Sequence, residues 1–349
     1  MTRHEEHGDT GGPVGRRRGA LRIAGFALAG ALVLAAATTT WAYWHLSDNI
    51  TSVDINTALG DDRPARAMVT PSAAAAASPL PSGSLNILVL GSDSRSGKAN
   101  KALGGGDSGG ARSDTAMVVH IDGGRTKATV VSIPRDTLVT RPSCPLPSGG
   151  STAVTHGAMF NSAYAVGGPV CAVKTVESLT HVRMDHYVEI DFAGFAKLVD
   201  ALGGVDVTTD QDIDDDKSHL RLDAGDHHLD GTRALALART RHGIGDGSDL
   251  GRIGLQQKLV KALLERMATM DLLTDPAGLY QVADAVTASL TTDTGLDSLN
   301  ELMSLGRSLR GLTADRTRTV MMPVVTAPSD PNRVVAEEPA AGELWASLR

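Results

Sequence analysis

The stretch Leu85–Leu90, with the sequence LNILVL, predicts a buried β-strand because five of its six residues are apolar. The turn at 91–95, GSDSR, follows at once and brings Asp93 to the end of that strand. In α/β domains, ligand-binding residues commonly lie at the ends of such buried strands. Asp93 is therefore a candidate functional residue.

Two further predicted strands carry the same chemistry at their ends. A strand at 116–121 directly follows Arg112 and Asp114, and the hairpin signal DGG at 122–124 turns the chain into a return strand at 128–133. The return strand ends at Arg135. Three strand ends thus present carboxylates and guanidinium groups together.

The middle of the chain predicts a strand, a helix and a second strand at 186–190, 192–202 and 205–208. Such a unit favours a parallel strand pair, whereas the hairpin before it is antiparallel. We therefore expect an α/β domain with a mixed sheet. A short helix at 172–179 precedes this unit, and a last core strand is predicted at 319–325.

The segment 230–257 collects cations at one place. A helix ends at Arg239 and Arg241, a Gly-rich loop follows, and a second helix carries Arg252 and Gln256 four residues apart on one face. No matching run of glutamates is available to pair with these arginines. The cluster predicts an anion site, although each arginine alone could equally be a solvated surface charge.

Composition limits the functional classes. The 349 residues contain 42% hydrophobic residues, enough for one sizeable core with appendages, and the net charge is −7. That balance leaves no long basic face, so we expect no nucleic-acid partner.

The N-terminus predicts a membrane anchor. Arg16, Arg17 and Arg18 close a basic head, and the run from Ile23 to Trp44 is uncharged and about long enough to cross a bilayer as a helix. The positive-inside rule then places the head in the cytoplasm and the rest outside, at the cell membrane. A cleaved signal peptide is the alternative.

Five regions follow from these patterns. We expect a cytoplasmic head at 1–20, a transmembrane helix at 21–44 and an extracytoplasmic linker at 45–83, rich in Pro, Ala and Ser towards its end. A catalytic domain at 84–328 and a loosely ordered tail at 329–349 complete the chain.

Two cysteines occur, Cys144 and Cys171, and neither lies in a zinc-binding spacing. In an oxidising exterior the simplest expectation is a disulfide between them. Two free thiols remain the alternative.

The ordered motifs resemble the LytR-CpsA-Psr (LCP) proteins of bacterial envelopes. The resemblance covers about residues 85–325 and rests on seven segments in the family's order: LNILVLGSDSR, ARSDTAMVVHID, ATVVSIPRDTLV, FNSAYAVGGPVCAVKTVESL, HYVEIDFAGFAKLVDALGGVDV, LDGTRALALARTRH and DLGRIGLQQ.

The resemblance implies a three-layer α/β/α sandwich and a phosphotransferase that moves a glycopolymer phosphate from a polyprenyl-pyrophosphate carrier to peptidoglycan, assisted by Mg²⁺ or Mn²⁺. It implies metal-binding roles for Asp93 and Asp114, and a general-base role for Asp249. The family's pyrophosphate contacts correspond to Arg112, Arg135, Arg239, Arg241, Arg252 and Gln256, of which Arg112 and Arg135 are also expected to assist catalysis. Leu255 stands where the family often has another arginine.

Alternatives remain at the level of the sequence. A hydrolase would release the phosphate to water, and a non-enzymatic envelope regulator would transfer nothing. For Asp249 the alternative role is an N-cap of the second helix, since aspartate is favoured there.

Overall fold

The computed structural model describes residues 14–66, 83–92, 113–146, 148–240, 249–270 and 275–349. Within these ranges, the side chains of residues 14–29, 31, 114, 249 and 250 fall outside the description. The chain divides into two compact units, Met1–Asp48 and Asn49–Arg349.

The described residues of the first unit, 14–48, form helix α1 (Val14–Asp48). The predicted anchor, 21–44, falls inside its bounds. Among the residues covered by the structure, no helix combines the length and the apolar character needed to cross a membrane.

The second unit is built from short strands and helices. Its strands are β1 (Thr51–Val53), β2 (Leu85–Ser92), β3 (Ser113–Ile121), β4 (Ala128–Ile133), β5 (Leu138–Arg141), β6 (Thr155–Met159), β7 (His186–Asp191), β8 (Val205–Thr209), β9 (Ile213–Asp215), β10 (Leu220–Leu222), β11 (Gly225–Leu229), β12 (Leu290–Asp293), β13 (Thr317–Met321), β14 (Val324–Ala327) and β15 (Asp330–Ala336). Its helices are α2 (Ile55–Leu59), α3 (Asn161–Thr180), α4 (Phe192–Ala201), α5 (Gly231–Arg239), α6 (Asp249–Thr269), α7 (Pro276–Thr287), α8 (Leu299–Ser308) and α9 (Ala340–Ala346), with a 3₁₀ turn at Ala314–Arg316.

Seven strands form the central sheet in the order β1-β12-β7-β2-β3-β4-β13. The pairs β1–β12, β7–β2 and β4–β13 are parallel, and the other three are antiparallel. The predicted α/β fold with a mixed central sheet is therefore confirmed.

Strand β2 lies near the middle of the sheet and is buried on both faces. Leu88 and Leu90 belong to a core that also contains Val173 of α3. Ile87 lies in a different core, against which Leu305 of α8 packs. Because successive side chains of a strand point to opposite faces, helices cover both sides of the sheet.

The predicted unit of strand, helix and strand was wrong in its pairing. Strand β8 lies outside the central sheet and pairs antiparallel with β11, and the parallel partner of β7 is β2. Alternate residues of β8 are buried and exposed, whereas a central parallel strand is apolar on both faces. The helix preceding β7 is also longer than predicted and is broken at Gly167 and Gly168.

The segment predicted as a linker belongs in part to the folded domain. Strand β1 extends the central sheet, and Ile55 and Leu59 of α2 are buried in its core. Arg63 donates from Nε and Nη2 to the Glu177 carboxylate at 2.6–3.1 Å, with both side chains almost fully buried. Strand β1 and helix α2 are too short to show a clear hydrophobic periodicity in the sequence.

The C-terminal tail is likewise structured, which corrects the expectation of loose order. The predicted strand 319–325 is two strands: β13 joins the central sheet and β14 pairs with β15. Helix α9 buries Trp345 at 2% exposure in the main core. Ala341 of the same helix and Leu348, just after it, are buried in this core as well.

Cys144 and Cys171 form the expected disulfide, and both are fully buried. The bond ties the loop between β5 and β6 to helix α3. The break in α3 is part of the same packing, because a Cβ at Gly167 would lie 2.7 Å from the Cys171 Cβ.

Removing the disulfide is expected to lower stability. For the sequence separation of 27 between the two cysteines, the loop-closure model gives about 3.5 kcal/mol. We expect the Cys144→Ala/Cys171→Ala variant to unfold at a correspondingly lower denaturant concentration. Reductant should lower the unfolding midpoint of the wild type to near that of the variant and leave the midpoint of the variant unchanged. Equal midpoints without reductant would show that the disulfide does not contribute to stability.

A buried hydrogen bond joins His186 of β7 to Asp293 at the end of β12. Asp293 lies 3.1 Å from Nδ1 of His186 and accepts backbone N–H groups from Tyr187 (2.8 Å) and Gly295 (2.7 Å). Burial by itself would raise the pKa of Asp293, but the hydrogen bond and positive charge of His186 and the two N–H groups outweigh it, so the pKa lies below its ordinary value.

Asp293→Asn should therefore destabilise the protein in a pH-dependent way. A carboxylate whose pKa is lower in the folded state than in the unfolded state stabilises the fold. This stabilisation is complete above the pKa of the unfolded state, about 3.9, and is lost as the pH falls through the pKa of the folded state. We expect a loss of about 2 kcal/mol at neutral pH, shrinking below about pH 4. Unfolding titrations across pH measure this, with exposed Asp297→Asn as control; a pH-independent difference would contradict the assignment.

Candidate phosphate site

Four strand ends meet at one edge of the central sheet. Ser92 at the end of β2 pairs with Ser113 of β3 on one side and with Asp191 of β7 on the other. Ala116 of β3 pairs with Ile133 near the end of β4. The polar positions predicted at separate strand ends therefore flank a common edge.

The predicted residues at this edge differ in how far the structure describes them. Asp93 and Arg112 lie outside the described residues, and Asp114 lies in β3 with its side chain outside the description. Arg135 is described: it follows β4, and its carbonyl accepts the Asn161 N–H at the start of α3 (3.1 Å). Its Nε lies 3.8 Å from the Asp136 carboxylate, and its side chain is 15% exposed.

A pocket of about 240 Å³ brings three other predicted residues together. Arg239 reaches it from α5, and Arg252 and Gln256 reach it from α6. The pocket, called here the arginine pocket, is lined by Thr115, Phe192, Asp215, Lys217, Ser218, Leu235, Ala238, Arg239, Arg252 and Gln256. Arg241 lies outside the described residues.

Gln256 connects three elements around this pocket. Its Nε2 donates to Oγ1 of Thr115 on β3 (2.9 Å) and to the carbonyl of Ala238 on α5 (3.0 Å). Gln256 is 6% exposed and Arg252, one turn earlier, is 4% exposed. The amide thus has a structural role in the pocket wall in addition to any contact with a ligand.

Position 255 contributes to packing. Leu255 is buried in a second hydrophobic core, formed by the hairpins β8–β11 and β9–β10 with α4, α5 and α6. This accounts for the departure from the arginine expected there, because a cation at this position would lie among apolar side chains.

Local packing fixes the start of helix α5, which ends at Arg239. Gly231 at its start approaches α4 so closely that a Cβ would lie 2.0 Å from the Ala196 carbonyl oxygen. Asp230 caps the helix by accepting the Arg233 N–H (2.8 Å). The Arg239 guanidinium carbon lies 4.8 Å from the centre of the Phe192 ring, a cation–π contact.

The hairpin β9–β10 forms a wall of the pocket that sequence reasoning missed. Asp215 is 2% exposed, and its carboxylate accepts the N–H groups of Lys217 (2.9 Å) and Ser218 (3.3 Å). The Ser218 hydroxyl lies 2.9 Å from that of Thr240, which directly follows Arg239. In sequence this segment is an acidic loop, and no periodic pattern marks it as a site.

A buried carboxylate lies beside the strand edge. Glu189 accepts hydrogen bonds from the hydroxyl groups of Tyr164 (2.6 Å) and Tyr187 (2.5 Å). Burial, reinforced by the Glu189 carboxylate, raises the pKa of both tyrosines, so both donate as neutral phenols. The arrangement joins α3 to β7 at a position two residues before Asp191, which pairs with Ser92 at the edge.

A metal ligand set is not visible in the described part of the chain. No group of three or more His, Cys, Asp or Glu side chains there could hold a metal ion. Asp93 and Asp114, the two predicted ligands, fall outside that search. In the sequence Asp93 directly follows Ser92 and Asp114 directly follows Ser113, and these two serines are paired across β2 and β3. Two carboxylates are the hard oxygen donors that Mg²⁺ prefers.

Comparison with known proteins gives a family match over most of the chain. The model of the LytR_cpsA_psr family matches residues 42–349. The chain is 34% identical over 270 residues to the probable cell wall biosynthesis protein LcpB of Corynebacterium glutamicum, covering 76% of this chain and 61% of that protein.

Two further relatives carry more specific names. The polyisoprenyl-teichoic acid–peptidoglycan teichoic acid transferase TagU of Oceanobacillus iheyensis is 32% identical, covering 63% of this chain and 62% of TagU. The crystal structure of TagV from Bacillus subtilis superposes with a TM-score of 0.58 at 26% identity, covering 77% of this chain and 97% of TagV. The chain spans about three fifths of the length of the two curated relatives.

Proposed function

Because this chain belongs to the LytR_cpsA_psr family, we propose that it transfers a glycopolymer phosphate from a polyprenyl-pyrophosphate carrier to peptidoglycan. The observation that carries the proposal is the arginine pocket beside the strand edge, where Arg239 and Arg252 line one cavity. The name of the TagU relative, a teichoic acid transferase acting between a polyisoprenyl carrier and peptidoglycan, supports the substrate class.

The chemistry of this transfer asks for cations placed around phosphate oxygens that gain charge. Guanidinium groups supply fixed donors in pairs and keep their charge at every pH that an envelope meets. In our proposal Arg239, Arg241, Arg252 and Gln256 hold the pyrophosphate from the side of α5 and α6. Arg112 and Arg135 act on it from the strand edge.

Asp93 and Asp114 are proposed to hold Mg²⁺ or Mn²⁺ between the ends of β2 and β3. The ion, when bound, would screen the negative charge of the phosphates. Asp249 is proposed as the general base that takes the proton from the acceptor hydroxyl as its oxygen bonds to phosphorus and the bond to the lipid phosphate breaks.

The protein is further proposed to be held at the cell membrane by a transmembrane helix at 21–44, with its N-terminus in the cytoplasm. The uncharged run from Ile23 to Trp44 after three arginines supports this. A lipid-linked substrate also requires an enzyme that works at the bilayer surface.

The decisive experiment incubates the full-length protein in detergent with a radiolabelled lipid-linked glycan, Mg²⁺ and peptidoglycan. We expect label in the peptidoglycan and release of the polyprenyl phosphate. If the labelled glycan appears only in solution, the protein is a hydrolase. If neither labelled peptidoglycan nor polyprenyl phosphate forms, the protein is a non-enzymatic regulator.

The carboxylates at the strand edge should control the response to metal. We expect Asp93→Asn and Asp114→Asn each to raise the Mg²⁺ concentration for half-maximal transfer about tenfold or more, because an amide binds a hard divalent ion much more weakly than a carboxylate. Calorimetric Mg²⁺ titration provides a readout independent of activity. Unchanged Mg²⁺ affinity in both variants would remove these residues as ligands.

A further inference from the structure

A second pocket, here called the hairpin pocket, opens next to the arginine pocket. It has a volume of about 530 Å³ and lies between the hairpin β9–β10 and helix α5. The two pockets share Lys217, Ser218, Leu235 and Arg239 as a common wall. A ligand in the hairpin pocket therefore lies beside whatever occupies the arginine pocket.

The hairpin pocket is cationic. Its lining includes Lys217, Arg221, Arg233 and Arg239. Arg221 is already paired with Asp214 (2.9 Å) and Asp216 (3.4 Å). No carboxylate within the described ranges comes within 4.0 Å of the amino group of Lys217 or the guanidinium of Arg233.

The positive charge of the hairpin pocket favours some parts of the lipid-linked donor and the peptidoglycan acceptor over others. The polyprenyl chain of the carrier is disfavoured there, because four cations line the pocket beside Leu220, Leu235 and Ala236 and a hydrocarbon packed against them would remove charge from water. The donor glycan reaches the site already attached to the bound pyrophosphate. The acceptor must be brought independently, with its hydroxyl about 3–3.5 Å from phosphorus, so it needs a binding surface of its own next to the phosphates.

Peptidoglycan has the chemistry that fits this surface. Its peptide stems carry free carboxylates close to the sugar hydroxyl groups, and carboxylates form charge-assisted hydrogen bonds with lysine and arginine. The pocket volume is within the range of about 300–1,000 Å³ typical of small-ligand sites. We propose that the hairpin pocket binds the anionic peptide stem of the peptidoglycan acceptor through Lys217 and Arg233.

This inference rests on the proposed transfer to peptidoglycan, and its test separates the two. Calorimetry measures the binding of N-acetylmuramyl-L-Ala-D-Glu and of the same muropeptide with both carboxylates amidated, each to the full-length protein in detergent. Two exposed ion pairs correspond to a preference of about tenfold for the acidic form. Equal binding of the two forms, or binding of neither up to millimolar concentration, would overturn the inference.

Variants test whether the preference for the acidic muropeptide arises in the hairpin pocket. We expect the Lys217→Gln/Arg233→Gln protein to lose the preference, and Lys261→Gln, which removes an exposed charge of α6 paired with Glu265, to retain it. A preference that persists in the double variant would place the stem elsewhere. Thermal unfolding of each variant checks that the fold is intact.

Transfer assays distinguish the assignment of the hairpin pocket from the proposed transferase function. Arg233→Gln, at a residue that lines the hairpin pocket and not the arginine pocket, should raise KM for peptidoglycan about threefold and leave KM for the lipid-linked donor unchanged. A rise in donor KM alone would assign the pocket to the donor glycan and overturn the inference. Stem binding without any transfer would instead contradict the proposed function and leave the pocket assignment standing.

Discussion

Arg239→Ala is expected to lower the rate of transfer about 1,000-fold, the size of effect seen when one preorganised donor to a developing negative charge is removed. Arg239 lines the arginine pocket, lies over the Phe192 ring and ends a helix whose start is capped by Asp230 and packed against α4. Its position is therefore fixed before a substrate binds. Steady-state transfer from a lipid-linked donor measures the loss.

Stability should hardly change in the same variant, because a cation–π contact at a partly exposed site contributes only about 1 kcal/mol. Arg307→Ala, an exposed arginine of α8, is the matched control and should keep full activity. Near-normal turnover in folded Arg239→Ala protein would remove the arginine pocket as the phosphate site.

Asp249→Asn should lower turnover by about 100-fold or more, as expected when a general base is lost. Helix α6 begins at Asp249, one turn before Arg252, so the backbone brings this residue to the end of the helix that lines the pocket. Asparagine caps a helix almost as well as aspartate but cannot accept a proton at neutral pH. The substitution therefore separates the two roles of Asp249.

Mg²⁺ affinity and donor binding should stay close to wild type in Asp249→Asn, since neither depends on the base. Calorimetry measures both quantities beside the transfer rate. Full activity in this variant would leave only the capping role, and a large loss of Mg²⁺ affinity would make Asp249 a metal ligand.

The sequence predicted best those elements whose apolar pattern is continuous. The strand at 128–133 has the predicted bounds, and β2, β3 and β7 differ from prediction by a few residues at their ends. Segments 51–59 and 330–346 were missed because each contributes isolated apolar residues, such as Ile55 and Trp345, to a core built by distant parts of the chain. Local periodicity does not record such docking.

The candidate site was predictable to the extent that it is made of charged residues. The arginines of α5 and α6 stood out because they interrupt apolar helices, and three predicted residues line one pocket. Lys217 and Ser218 did not stand out, because they lie in a turn between two three-residue strands. Only the pairing of that hairpin and its contact with Thr240 bring them to the pocket.

Two separate cores supply the arginine pocket. Thr115 comes from the central sheet, whereas Arg239, Arg252 and Lys217 are carried by elements around the second core. The second core is smaller than the main core and is built largely on short hairpins, so it can open locally at a lower free energy than the sheet. Heat should therefore separate the two halves of the site, and end catalysis, at a temperature where most of the sheet is still intact.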